Sequence, residues 1–161
     1  MLRSIGRKWG RLQALTASQL YDDQTFYRAF MRDLNLCESE AIIESPFITS
    51  NRIASLLPIF GKMRSRNVRI VINTRHPIEH EAPYDNQAWA GIEQLQQIGI
   101  EVLFTGRHHR KLAIFDRQIL WEGSLNILSQ NDSCEVMRRI ESEECAQKML
   151  HFTRMEKFAH R

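Results

Sequence analysis

The chain has 161 residues, 43% hydrophobic and 25% charged, with a net charge of +3. That balance excludes a disordered, collagen-like or low-complexity chain, and one domain of this length buries roughly 70% of its unfolded surface without disulfide or metal staples. The apolar stretches, such as Ile53 to Phe60, fall far short of the roughly 18 residues of a membrane helix, so no span is expected. Residues 1–17 carry Arg3, Arg7, Lys8 and Arg11 and no apolar signal core, which predicts a basic N-terminal tail on a cytoplasmic protein. Such a tail is either a solvated terminus or a contact for phosphate backbone. Three cysteines, Cys37, Cys134 and Cys145, form no CxxC pair and suit a reducing compartment.

A single domain is expected over 18–161. Ser18, Asp22 and Asp23 precede Phe26, Tyr27, Phe30, Met31 and Leu34 at helical spacing, which predicts a helix from about 19 to 34. Ala41 to Glu44 reads as a short strand closed by Ser45-Pro46, and Asn51 to Met63 as an amphipathic helix. Asn67 to Asn73 is a strongly apolar strand, Asp85 to Ile98 a helix stopped by Gly99, and Ile100 to Phe104 a third strand. Lys111 to Phe115 and Ile119 to Glu122 flank Asp116-Arg117-Gln118 as two strands of a hairpin. A last strand near Glu135 to Ile140 leads into a helix over Ser142 to Phe158. The alternation argues for an α/β sandwich, parallel in its first half and with an antiparallel hairpin in its second.

Polar residues stand inside or at the ends of apolar strands between Arg107 and Glu135, which surface decoration does not explain. On an extended segment His109 and Lys111 share one face, while His108 points to the other and reads as structural. Gly123-Ser124-Leu125-Asn126 ends the returning strand, where Gly123 permits close backbone approach and small donors converge. An imidazole, a fixed cation, a hydroxyl and an amide together suit a phosphoryl centre, whose oxygens gain charge as the reaction proceeds.

His109-x-Lys111-x4-Asp116, followed after six residues by Gly123-Ser124-x-Asn126, resembles the HKD motif of the phospholipase D superfamily, with complete spacing. Ser45-Pro46-Phe47 after a strand, and Glu135 nine residues beyond Asn126, extend the resemblance to the nuclease-like members over most of 19–158. It implies a phospholipase D-like α/β/α sandwich with a mixed sheet and one HKD half per chain. It also implies a two-step reaction in which one histidine attacks phosphorus and a second protonates the leaving oxygen, with no metal or cofactor. Because the chain carries a single motif, the second His109 and Lys111 are expected from another copy, in a homodimer with its active site on the axis.

The expected catalytic set is His109, Lys111, Asp116, Ser124, Asn126 and Glu135, with Lys111, Ser124, Asn126, Arg107 and Arg110 binding substrate. Asp116 is expected to orient the turn or a histidine, and Glu135 to accept a hydrogen bond from an imidazole of its own or the partner subunit. Ser45 is a weaker candidate for lining the cleft. The basic tail, Arg107, Arg110 and the lack of a membrane-seeking helix favour nucleic acid over lipid as the phosphodiester. No aromatic stacking platform stands out, so weak sequence specificity is expected. The alternatives are a phosphatidyl-transferring or phospholipid-cleaving enzyme with the same residues, and a catalytically silent nucleic-acid-binding module. Met1 argues against truncation, although similar domains occur within larger nucleases and helicases. His76-Pro77-Ile78-Glu79-His80 spells a zinc-protease pattern, H-x-x-E-H, but Pro77 and Pro83 deny it the sustained helix it needs, so a polar loop is expected.

Overall fold

The computed structural model describes residues 17–129 and 132–158; all but the last residue of the basic tail lie outside them. A seven-stranded mixed sheet has the order β1-β7-β6-β5-β2-β3-β4. Its strands are β1 (Gln19–Asp22), β2 (Glu40–Glu44), β3 (Arg69–Thr74), β4 (Glu101–Phe104), β5 (Leu112–Phe115), β6 (Ile119–Gly123) and β7 (Val136–Glu141). The helices are α1 (Phe26–Leu36), α2 (Ser50–Ser65), α3 (Tyr84–Gln97) and α4 (Glu143–Thr153), with single 3-10 turns at Pro77–Glu79 and Met155–Phe158. Strands β2, β3 and β4 are parallel, joined by helical crossovers through α2 and α3, while β5, β6, β7 and β1 add antiparallel.

The two-residue alternation along each strand sorts the core into two layers. Ala41, Ile43, Ile70, Ile72, Ala113 and Phe115 face α1, α2 and α3, where they meet Phe30, Leu56, Phe60 and Leu95. Ile42, Val71, Leu112, Ile114 and Leu120 face the other way, onto Ala146 and Leu150 of α4 and onto Met155. The α/β/α sandwich is therefore the fold that the sequence implies, because the central strands β2, β3 and β5 are apolar on both faces.

Two boundaries differ from expectation. Residues 19–22 are an edge strand rather than the start of a helix: Gln19, Leu20, Tyr21 and Asp22 pair with Arg139, Arg138, Met137 and Val136. The acids that resemble a helix start build the turn instead. Asp22 Oδ1 accepts from Thr25 N at 2.8 Å and from Thr25 Oγ1 at 2.6 Å, and α1 begins only at Phe26. Tyr21 then packs its ring 5.0 Å from Trp121, a contact across a hundred residues that local periodicity cannot register. At the other end α4 stops at Thr153, because Arg154 takes a left-handed φ of 58° and the chain turns into the short 3-10 segment.

One buried cluster fastens α1 to the sheet. Asp33, 2% exposed, accepts from the Trp121 indole at 2.9 Å and from Arg139 Nε at 2.6 Å. Replacing Asp33 with Ala leaves a guanidinium and an indole N–H buried without their acceptor. The expected cost is about 3–5 kcal/mol in denaturant unfolding at fixed protein concentration, and a loss below about 1 kcal/mol would show that the cluster does not hold the layer.

Candidate active site

The motif residues gather where the carboxyl ends of β2 and β3 meet the start of β5, the end of an α/β sheet at which ligands bind. Register explains the placement: Glu44, last in β2, pairs with Leu112, first in β5, so the segment before Leu112 emerges beyond the sheet edge. There Lys111 Nζ lies 2.9 Å from His109 Nδ1 and 2.8 Å from the His109 carbonyl oxygen. An ammonium only donates, so the ring nitrogen it meets is the acceptor and the imidazole is neutral in this arrangement. The Lys111 charge, then partial desolvation and the Arg75 guanidinium, hold the His109 pKa below its ordinary value. Burial lowers the Lys111 pKa in turn, opposed by the negative charge of Glu135.

Ser124 and Glu135 form the facing wall. Ser124 Oγ donates to Glu135 Oε2 and accepts from Val136 N at 3.1 Å, while Ser133 Oγ donates to Glu135 Oε1 at 2.6 Å. Gly123 sits against β7 so closely that a Cβ would lie 2.1 Å from the Val136 carbonyl oxygen, which is why only glycine precedes Ser124. Within one chain Glu135 thus holds the Ser124 and Ser133 hydroxyls. Asn126 opens onto a neighbouring pocket with Phe47 and His80.

Three of the candidate residues have structural partners within the chain. Asp116 belongs to the far end of β5, five residues from Lys111, roughly 17 Å along a strand, and does not reach the pair. It accepts instead from Glu38 N at 2.9 Å, Ser39 N at 2.8 Å, Ser39 Oγ at 2.7 Å and Glu40 N at 3.0 Å. Burial alone would raise its pKa, but these donors outweigh it and hold the carboxyl below its ordinary value. Asp116 therefore anchors the hairpin turn, where it and Arg117 both have positive φ. Arg110, expected on substrate, forks onto the buried Glu44 carboxylate at 2.5 and 2.8 Å, while its partly exposed side chain also lines the groove beside His109 and Lys111. Ser45 is fully buried; its hydroxyl donates to Phe47 O at 3.0 Å and accepts from Leu128 N at 3.1 Å, tying loops rather than lining a cleft.

Arg107 keeps an exposed side chain, and its backbone N–H donates to Glu79 Oε2 at 3.1 Å. His108 is 3% exposed, its carbonyl oxygen held by Arg75 Nη2 at 3.0 Å. Arg75 escaped notice in the sequence, although its place one residue beyond β3 at the carboxyl end of the parallel strands was a usable signal. The H-x-x-E-H stretch forms only a three-residue 3-10 turn, with the His76 ring accepting from Ile78 N at 3.2 Å. Among the described residues no group of three His, Cys, Asp or Glu side chains converges as metal ligands would.

The sequence model of the family described as cardiolipin synthase, PLD-like domain, matches residues 30–155. No curated protein matches the chain significantly in sequence. Among solved structures, Nuc from Salmonella typhimurium, a phospholipase D family member, aligns with a TM-score of 0.71 at 13% identity, covering 84% of this chain and 90% of that one. NucT from Helicobacter pylori aligns at 0.67 and 18% identity, over 86% and 93% of the two chains. Polyphosphate kinase from Porphyromonas gingivalis aligns at 0.67 and 12% identity, over 92% of this chain but 27% of its own. At these identities the likenesses establish a shared fold, and a fold alone does not choose a reaction.

The contact between Lys111 and His109 makes a signed prediction. A cation at 2.9 Å disfavours imidazolium, so Lys111→Met should raise the His109 pKa toward about 6.5. NMR titration of the ring protons measures it; an unchanged or lower value would mean that the ammonium does not set the state of the ring.

Proposed function

The chain belongs to the cardiolipin synthase, PLD-like domain family, and from that premise we propose that it is a homodimeric nuclease that cleaves phosphodiesters through a histidine-bound intermediate. The observation that carries this reading is the exposed His109 imidazole held beside the Lys111 ammonium, with the Ser124–Glu135 pair on the adjoining wall. A neutral imidazole is a nucleophile at neutral pH, and the lowered pKa keeps it so.

In the first step the neutral imidazole of His109 bonds to phosphorus as the bond to one ester oxygen breaks, and that oxygen leaves with a proton from His109 of the partner subunit, which enters the step as imidazolium and leaves it neutral. In the second, water attacks the phosphohistidine, the same partner imidazole takes the water proton, and the P–N bond breaks. Lys111 from each copy stabilises the charge growing on the non-bridging oxygens, aided by the Asn126 amide. Ser124, tied to Glu135, orients that carboxylate, and Glu135 is then placed to receive an imidazole N–H as the dimer closes.

Nucleic acid is favoured by the basic tail, by the exposed Arg107 and by Arg75 beside the motif. Arg110 adds less to that case, since its guanidinium is paired with the Glu44 carboxylate. One observation favours a second reading: a groove of about 520 Å³ against His109 and Lys111 is walled by Leu20, Val136, Met149 and Phe152, an apolar surface suited to a phospholipid.

The test is cleavage of labelled single- and double-stranded DNA and RNA, and of phospholipid vesicles, in excess EDTA, with oligomer mass recorded. Oligonucleotide cleavage by a dimer, reduced at least about 10⁴-fold in His109→Ala, is the expected result. Undiminished cleavage by His109→Ala would overturn the assignment. Vesicle hydrolysis without oligonucleotide cleavage would select the lipid reading, and salt-sensitive binding without any turnover a silent binding module.

A further inference from the structure

Beside the motif lies a second pocket, of about 280 Å³, that the two-step reaction does not use. Its walls come from three separate parts of the sequence: Phe47 after β2, His80 after the Pro77–Glu79 turn, and Tyr84 at the start of α3. Asn126 of the motif completes it, with Thr49. The Phe47 and His80 rings are tilted at 56° with centroids 5.1 Å apart, and Tyr84, 60% exposed, stands at the mouth. Phe47 also presents itself edge-to-face to His109, centroids 6.5 Å apart, so the pocket and the attacking imidazole share a wall. The Arg75 guanidinium lies 5.5 Å from the same Phe47 ring, which places a cation near the shared wall.

Polar atoms in this wall are unusual. Among the described residues, Thr49 Oγ1, His80 Nε2 and Asn126 Oδ1 are buried and have no hydrogen-bond partner, and all three residues line this one pocket. Buried polar atoms are normally paired, and three orphans around one cavity mark a place where a ligand supplies donors and acceptors after small side-chain shifts. Burial, then the charge of Arg75, keeps His80 below its ordinary pKa, so its ring is neutral and able both to donate and to accept.

We propose that the Phe47–His80–Tyr84–Asn126 pocket receives the unpaired nucleobase next to the phosphate under attack, and so directs the enzyme to single-stranded or frayed nucleic acid. This rests on the nuclease reading of the same site. Aromatic walls offer the stacking that any base accepts, while the polar atoms address a base edge. The volume sits just below the usual range of about 300–1,000 Å³ for small-molecule pockets, room for one base and too little for a base pair. A base in duplex is stacked and paired, and enters such a pocket only when extruded. The aromatic platform absent from the linear sequence is thus assembled by folding.

The experiment is a double-mutant cycle on kcat/KM. Wild type, Tyr84→Ala and His80→Ala act on a short single-stranded DNA and on a set of the same strand carrying one abasic position, stepped across the cleaved bond. Tyr84→Ala should lose roughly 5- to 150-fold on the intact strand. The abasic site at one flanking position should cost wild type a similar factor, and the two losses should not multiply. Multiplying losses at every position, or no loss in either variant, would overturn the base pocket while leaving the nuclease reading intact. A drop from dimer to monomer mass in Tyr84→Ala would also overturn it, by showing that a second copy covers the pocket. If strands are bound but not cleaved, the same cycle is read on Kd by anisotropy, with the same expected and overturning patterns; strands neither bound nor cleaved would overturn both readings.

Discussion

Glu44 is fully buried at the carboxyl end of β2, and a carboxylate there is tolerable only because it is saturated with donors. Arg110 supplies a two-pronged fork and Asn73 Nδ2 a third bond at 2.9 Å. Asn73 in turn accepts from Thr105 Oγ1 at 3.0 Å, which draws in the loop leaving β4. The consequence for function follows from chain geometry. Arg110 lies between His109 and Lys111, so its fork onto Glu44 anchors the extended segment from which both neighbours project. The reactive pair is positioned because its middle residue is tied to a buried carboxylate.

That arrangement also separates electrostatic roles that the sequence runs together. Arg110 is paired with a buried structural anion, whereas Lys111 acts on the imidazole beside it and Arg75 acts on both from the end of β3. Arg75 is itself held by the His108 carbonyl oxygen at 3.0 Å, so buried His108 contributes through its backbone while its side chain stays structural. A site with one imidazole can begin a phosphoryl transfer but has no second group to protonate the leaving oxygen. In the proposed symmetric dimer the second copy would supply that group without any new residue.

The parts legible in the sequence were those with local, repeating signals. The apolar strands β2, β3 and β5 and the helices α2 and α3 follow from periodicity, and the HKD spacing marks the reactive segment. What stayed hidden depends on distant partners. Gln19–Asp22 became a strand because β7 offers it an edge, and Arg110 has a buried partner in Glu44, which lies 66 residues away in the chain and directly beside it in space. Asp116 matches the motif in spacing yet serves the α1–β2 loop, since position in a motif fixes residue type and not what the side chain touches. Phe47, His80 and Tyr84 are unremarkable singly, and only the crossover from β2 through β3 to α3 brings them to one wall.

The central claim is that His109 bonds to phosphorus. Peptide mapping by mass spectrometry, after rapid quenching of the dimer with oligonucleotide in excess EDTA, tests it most directly. A nucleotide or oligonucleotide phosphate adduct on the peptide containing His109, appearing and decaying within turnover, is the result expected. Turnover with no adduct at His109, or with the adduct on another residue, would contradict it.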